Sequence, residues 1–305
     1  EDVAAWLKQK APLKASQFQH LLPELRALSF MVSGIEAADA LQDLRDTIAT
    51  FPEGERFADV QKKLASKLGQ YITDPQPKLF EETDEEAAVR KGQLMNRARF
   101  LLRHHGTQAY AVAAFKDLDE TRDVFPYWKY LTVGDEHVRD SHKALEGKIL
   151  PHDDPFWQTH FPPWEYGCRC QVVPVTKSEY NRTKQREDEE KTPEEDRATF
   201  SEAGAKRLRD ERQVLAKIGG EVVKVSVAAP IEQPHEDDVY VFNPHTLAMP
   251  LEQIMARYDE DTRNRFEQWA KITDAGNGYT IWQWLANDKL RHSAPANDSD
   301  NTKNI

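Results

Sequence analysis

The chain has 305 residues, enough for two cores, and its 39% hydrophobic and 30% charged content reads as a soluble globular protein. A net charge of −11 argues against a general nucleic-acid coat, because phosphate binding rests on surplus Lys and Arg; any DNA contact needs a local patch. No apolar run approaches the ~20 residues that a membrane helix requires, so no membrane partner is expected. No signal peptide is read, although the sequence opens on Glu1 rather than Met, which leaves room for residues upstream. Its two cysteines, Cys168 and Cys170, are not a secreted disulfide framework and suit synthesis in a reducing cytosol.

In chain order, the first third reads as helices. Leu21, Leu22, Leu25, Leu28 and Phe30 recur at roughly helical spacing, and Ile35, Ala38, Leu41, Leu44 and Ile48 do so more cleanly. Gly34 is expected to separate these two helices, and Phe51-Pro52-Glu53-Gly54 to end the second. Phe57, Val60, Leu64 and Leu68 form the stripe of a third, and Asp74-Pro75-Gln76-Pro77 reads as a loop. A long helix follows from about Asp84 to Phe115, burying Leu94, Ala98, Leu101, Leu102, Ala109 and Val112. Gly92 and Gly106 weigh against its continuity, each costing ~1 kcal/mol relative to Ala.

From Phe125 the character changes. Tyr127 to Thr132 alternates as a strand does, and Gln171 to Val175 suits an edge strand, since Pro174 cannot donate to a ladder. A charged stretch from Lys177 to Arg212 reads as a linker or solvated helix. Val222 to Val227 and Val239 to Phe242 are strand candidates, while Leu251 to Trp269 and Thr280 to Leu290 are helix candidates. The chain therefore reads as α+β. A helical region spans 1–124, an irregular α+β motif domain packed on it spans 125–176, and a charged linker or helix spans 177–215. A small α+β domain at 216–292 and a disordered tail at 293–305 complete it.

The most informative stretch runs from Gly134 to Cys170. It contains Asp135, Arg139, Ser141-His142, Gly147-Lys148, Asp154-Pro155-Phe156-Trp157, Pro162-Pro163 and Cys168-Arg169-Cys170. Asp135 is expected to start a short helix, with Arg139 one turn on as its ion partner and Gly147 at the end. Its prolines prevent long regular elements, so packing of Phe156, Trp157 and Trp164 must hold the segment.

This order of fixed points resembles the phage Mu protein F-like family, also described as phage head morphogenesis or minor head proteins. Upstream, Arg103 through Ala109-Tyr110 resembles the helix that precedes the motif in that family, with a departure at His104-His105. The resemblance runs more loosely back to Val3 and stops near Val175. It implies a minor structural protein of the virion head, made in the host cytoplasm, acting in head morphogenesis or DNA ejection. Its implied partners are the portal or major capsid protein. The variable C-terminal part of the family can be an effector such as a nuclease, for which His235, His245, Arg257, Arg263 and Arg265 would be the residues to examine; they show no catalytic spacing.

Several residue sets are capable of chemistry. Cys168 and Cys170, two apart, would share one face of an extended segment while Arg169 points the other way. They could ligate zinc with His142 and one of His152 or His160; the alternatives are a pair of buried reduced thiols or, with more strain, a redox pair. Asp135, Arg139, His142, Asp153 and Asp154 invite a catalytic reading with His142 as base, but equally suit a structural hydrogen-bond network. No phosphate-binding Gly loop, nucleophile elbow or His-Glu-x-x-His helix accompanies them. Arg90, Lys91, Arg97, Arg99 and Arg103 on the long helix offer a DNA-contacting patch, or a solvated face paired with the acidic residues of 81–86.

Overall fold

The computed structural model describes residues 3–72, 83–189, 211–228, 240–275 and 278–287. In chain order the helices are α1 (Val3–Gln9), α2 (Ala15–Phe18), α3 (Ala38–Ala49), α4 (Phe57–Tyr71), α5 (Asp84–Glu120), α6 (Asp140–Lys143), α7 (Trp157–His160) and α8 (Lys177–Glu189). They continue as α9 (Pro244–Leu247), α10 (Leu251–Met255), α11 (Glu260–Ile272) and α12 (Ile281–Ala286). The strands are β1 (Ala11–Pro12), β2 (Ser29–Phe30), β3 (Tyr127–Leu131), β4 (Ile149–Pro151), β5 (Gln171–Val175), β6 (Glu211–Ile218) and β7 (Glu221–Ala228). The protein is α+β, as its patterning predicts.

The chain divides into two compact units. One gathers 1–109, 217–222 and 250–305; the other gathers 110–216 and 223–249. The expected boundaries at 177–215 and 216–292 follow a different line.

The first unit is built on apolar stripes. Leu41, Leu44 and Ile48 of α3 and Val60, Leu64 and Leu68 of α4 are fully buried, as their helical spacing requires. The helix expected over Leu21 to Phe30 is instead a 3-10 turn, Pro23–Leu28, running into β2, which pairs parallel with β1. The five residues of the expected stripe, Leu21, Leu22, Leu25, Leu28 and Phe30, are all buried, so burial on nearly every side gave the run its density without a true helical face. Residues 250–287 return to this unit: Tyr258 donates to buried Glu24, and Trp284 Nε1 donates to the Gln9 carbonyl at 3.2 Å. The single helix expected from Leu251 to Trp269 is broken into α10 and α11, because Asp259 caps a new start by accepting from Thr262 N at 2.9 Å. Gly92 and Gly106 leave α5 intact.

In the second unit β3 lies between β4 and β5, antiparallel to both, which leaves Pro174 on an edge strand opposite Trp128. Alternation sends Trp128 and Tyr130 inward, where they meet Phe115, Leu145, Leu150, Phe156, Trp157, Phe161 and Trp164. Trp128 and Phe161 each set their rings edge-on to Phe115, at 5.9 and 5.5 Å. The peptide between Pro162 and Pro163 is cis. The strand expected at Val239 to Phe242 is not formed over 240–242, and Val239 lies outside the described residues. Tyr240 instead packs on Tyr166 at 4.6 Å, so burial rather than pairing explains the alternation. An unexpected strand, β6, pairs with β7 across Gly219-Gly220, both at positive φ, a turn that glycine permits without strain. The loop at 74–77 and the tail at 293–305 lie outside the described residues, as does 190–210 of the charged stretch.

Candidate metal centre

Four segments of the second unit bring the site together: β3, α6, the loop after Pro163, and the approach to β5. Gly147, at φ 76, closes the turn after α6, and its amide donates to the Tyr130 carbonyl at 2.9 Å. That bond fixes α6 beside β3 and delivers His142 to the Tyr130 side chain. Gly167, at φ 74, makes the second turn, and Cys168 N donates to the Glu165 carbonyl at 3.1 Å. This turn aims Cys168 and Cys170 back at His142.

His142 is 2% exposed and lies flat against Trp164, ring centroids 4.0 Å apart and 12° from parallel. Its Nδ1 is 3.3 Å from Cys170 Sγ and 3.7 Å from Cys168 Sγ, and all three ligand atoms lie within 4.8 Å of one another. Tyr130 Oη, which accepts from Trp164 Nε1 at 2.9 Å, stands 3.3 Å from the same Nδ1. On the far side of the ring, Nε2 is 3.3 Å from Glu165 Oε2, and Arg139 donates to that oxygen at 3.0 Å. Glu165 is 3% exposed, and its Oε1 is buried without a hydrogen-bond partner among the described residues.

The electrostatics of the cluster favour a thiolate. The neighbouring Cys168 thiol and the His142 ring hold the Cys170 thiol down to about 5, against its burial. Burial acts to lower His142, but hydrogen bonds to Cys170 and Glu165 outweigh it and raise the imidazole. Cys168 moves upward, through its hydrogen bond to Cys170 and its burial. The arrangement offers two sulfurs and one nitrogen converging on a single point.

Other residues singled out by sequence go elsewhere. Asp135 does not start a helix; α6 begins at Asp140, with Arg139 at its N-cap. Asp135 is gripped instead by both guanidinium nitrogens of Arg169, at 2.6 and 2.7 Å, and Arg139 turns to Glu165 and the Tyr166 carbonyl. The partners exchanged because a strand-like Cys-Arg-Cys puts Arg169 on the face opposite the thiols. Asp154 caps the turn into α7 by accepting from Phe156 N at 2.8 Å, Pro155 follows it in the turn, and Asp153 is exposed. The five-residue catalytic reading is thus dispersed. Lys148 is buried with its ammonium 5.4 Å from the Phe156 ring centre. His160 stacks on Phe156 and contacts Thr159 Oγ1 at 2.7 Å, and His152 packs near Trp128; neither joins the metal-ligand group.

Glu165 and Tyr130 were not among the sequence candidates. Tyr130 reads as a core residue of a strand, and no spacing ties Glu165 to a histidine 23 positions earlier. The signal available was the lone acid inside Pro163-Trp164-Glu165-Tyr166, an apolar stretch in which a carboxylate needs a partner.

On α5, Arg90, Lys91, Arg99 and Arg103 are exposed, whereas Arg97 donates to the Ser33 carbonyl. Arg90 and Lys91 line a groove with Lys62, Leu94 and Met95. Of the effector candidates, His235 lies outside the described residues. His245 packs on Phe115 at 4.3 Å, and Arg265 is paired to Asp261 and Glu221. Arg257 and Arg263 lie in the first compact unit, His245 in the second. No helix among the described residues is long and apolar enough to cross a membrane.

The family described as Phage Mu protein F like protein matches residues 42–173. The Mu-like prophage FluMu F protein of Haemophilus influenzae is 46% identical over 84 residues, which is 28% of this chain and 20% of that protein. The "Putative capsid assembly protein F" of Escherichia phage Mu is 41% identical over 64 residues, 21% of this chain and 15% of that protein. The matches thus span a fifth or less of these relatives' length. No solved structure matches.

Proposed function

We propose, from the match of residues 42–173 to the family described as Phage Mu protein F like protein, that this chain is a minor structural component of a tailed bacteriophage head. The observation that carries the reading is the coincidence of that match with a packed element: the residues that define the family pattern build the aromatic core and its cysteine turn. Trp157, Phe156 and Cys168 are buried, Asp154 accepts from Phe156 N, and Arg169 is paired to Asp135. A side-chain set spent on packing suits a docking and assembly part, and we read the protein as non-enzymatic.

In this reading the protein joins the head near the portal, contacts the portal or major capsid protein, and acts in head morphogenesis or DNA ejection. Contact with packaged DNA falls to Arg90, Lys91, Arg99 and Arg103 of α5, exposed cations on an otherwise acidic chain. Arg97 contributes less, because its guanidinium is held by Ser33.

Co-expression of the chain with the portal and major capsid proteins of its own phage tests the assignment. Co-sedimentation with assembled heads is the expected result. A chain that stays at the top of the gradient while heads form normally would contradict it.

A further inference from the structure

We propose that Cys168, Cys170 and His142 Nδ1 hold a structural zinc ion, with Tyr130 Oη beside the fourth position and Glu165 and Arg139 fixing the histidine from behind. The spacing fits the metal. With Zn–S near 2.3 Å and Zn–N near 2.05 Å, tetrahedral geometry sets sulfur and nitrogen about 3.5 Å apart. The two observed separations, 3.3 and 3.7 Å, bracket that value.

The histidine is orientated as a ligand. A zinc-bound imidazole donates its other N–H to a carboxylate or carbonyl, which fixes the tautomer and strengthens the donor. Glu165 Oε2 occupies that place at 3.3 Å from Nε2, and Arg139 at 3.0 Å holds the carboxylate in turn. This arrangement makes Nδ1 the metal-facing nitrogen, on the side where both sulfurs lie.

Charge points the same way. Two thiolates and one neutral imidazole around a divalent cation sum to zero, which a buried site tolerates better than a lone thiolate. Donor softness selects zinc over calcium or magnesium, which take oxygen ligands. His142 and Cys168 are buried and Cys170 is half-buried, which suits a structural site better than the open one that a catalytic zinc presents to substrate. The ion therefore staples the cysteine turn to β3 and α6, in a segment whose regular elements are three to five residues long. The histidines that sequence spacing offered as a fourth ligand, His152 and His160, are packed against aromatic rings instead.

The test uses the full chain, purified without chelator from zinc-supplemented culture. Elemental analysis and native mass spectrometry are expected to give about one zinc per chain. Cys170→Ser and His142→Ala are expected to drop it below about a tenth, with His152→Asn unchanged. Glu165→Gln, a change to a positioning residue, is expected to weaken zinc affinity about 10- to 100-fold while leaving one site. Because ligand variants can fail to fold, the wild-type chain supplies an independent reading. Chelator should remove the ion and collapse the near-ultraviolet signal of the packed tryptophans, and cobalt should restore that signal with a thiolate-to-metal absorption band. A folded chain carrying no metal, a chain carrying iron instead, a Cys168–Cys170 disulfide, or zinc retained in both ligand variants would each overturn the proposal.

Discussion

Trp157 buries its whole indole in the second unit and spends its one polar atom on the Pro151 carbonyl, 2.9 Å away. Its replacement by Ala should cost about 3–5 kcal/mol, because the cavity left by a fully enclosed aromatic ring cannot collapse. Asp153, four residues earlier and exposed, should change stability by less than about 0.5 kcal/mol on replacement by Ala. Chemical denaturation of both variants checks the contrast; equal losses would mean that the segment is not packed as described. Much of this was legible in the residues themselves. The aromatic content of 156–164 and its prolines announce a packed, irregular segment, and the Cys-Arg-Cys spacing places both thiols together. The exchanged ion pairs were not legible. A helix-turn rule pairs Asp135 with Arg139, whereas the tertiary path brings Arg169 to the first and Glu165 to the second. Sequence spacing carries no information about partners 34 and 26 positions apart.

Glycines separate the elements that tolerate change from those that do not. Gly92 sits exposed in α5 with open space where a Cβ would be, so Gly92→Ala should stabilise by about 0.5–1 kcal/mol through helix propensity. Gly147 also meets nothing within 4 Å, yet its φ of 76 is unfavourable for any L side chain. Gly147→Ala should therefore destabilise by about 1–2 kcal/mol, a cost of backbone alone. Opposite signs in paired thermal melts support the account; the same sign would undermine it. At this scale periodicity worked where one face is buried, as in α3, α4 and α5. It misled where the chain is buried on nearly all sides, as in the turn Pro23–Leu28. Two further breaks are written in the residues. Asp259 followed by Thr262 is a capping signal that divides α10 from α11, and Gly219-Gly220 between alternating segments is a hairpin turn.

Across the whole molecule, imidazoles that are partly or fully buried couple stability to acidity. Burial, with the charge of Lys10, pulls His104 down to about 3, and burial, with Lys148 and His142, does the same to His160. His245 is lowered to about 4, chiefly by burial. These groups are neutral when folded but protonate near 6.5 when unfolded. Their contribution to stability is full above about pH 6.5 and is lost as pH falls toward about 4 and 3. Glu24 runs oppositely: burial raises it, so its contribution is present below its unfolded value and lost as pH rises through the folded one. The melting temperature should thus fall on acidification from pH 6.5 to 4, and His104→Gln should flatten that slope. A flat wild-type profile would contradict the buried, neutral histidines. The central claim concerns the assembled phage rather than the isolated chain. Quantitative peptide mass spectrometry of purified heads from a phage encoding this protein tests it most directly. Peptides of the chain at a few copies per particle, well below the major capsid protein, are the predicted result. Their absence from heads that yield portal and capsid peptides would contradict it.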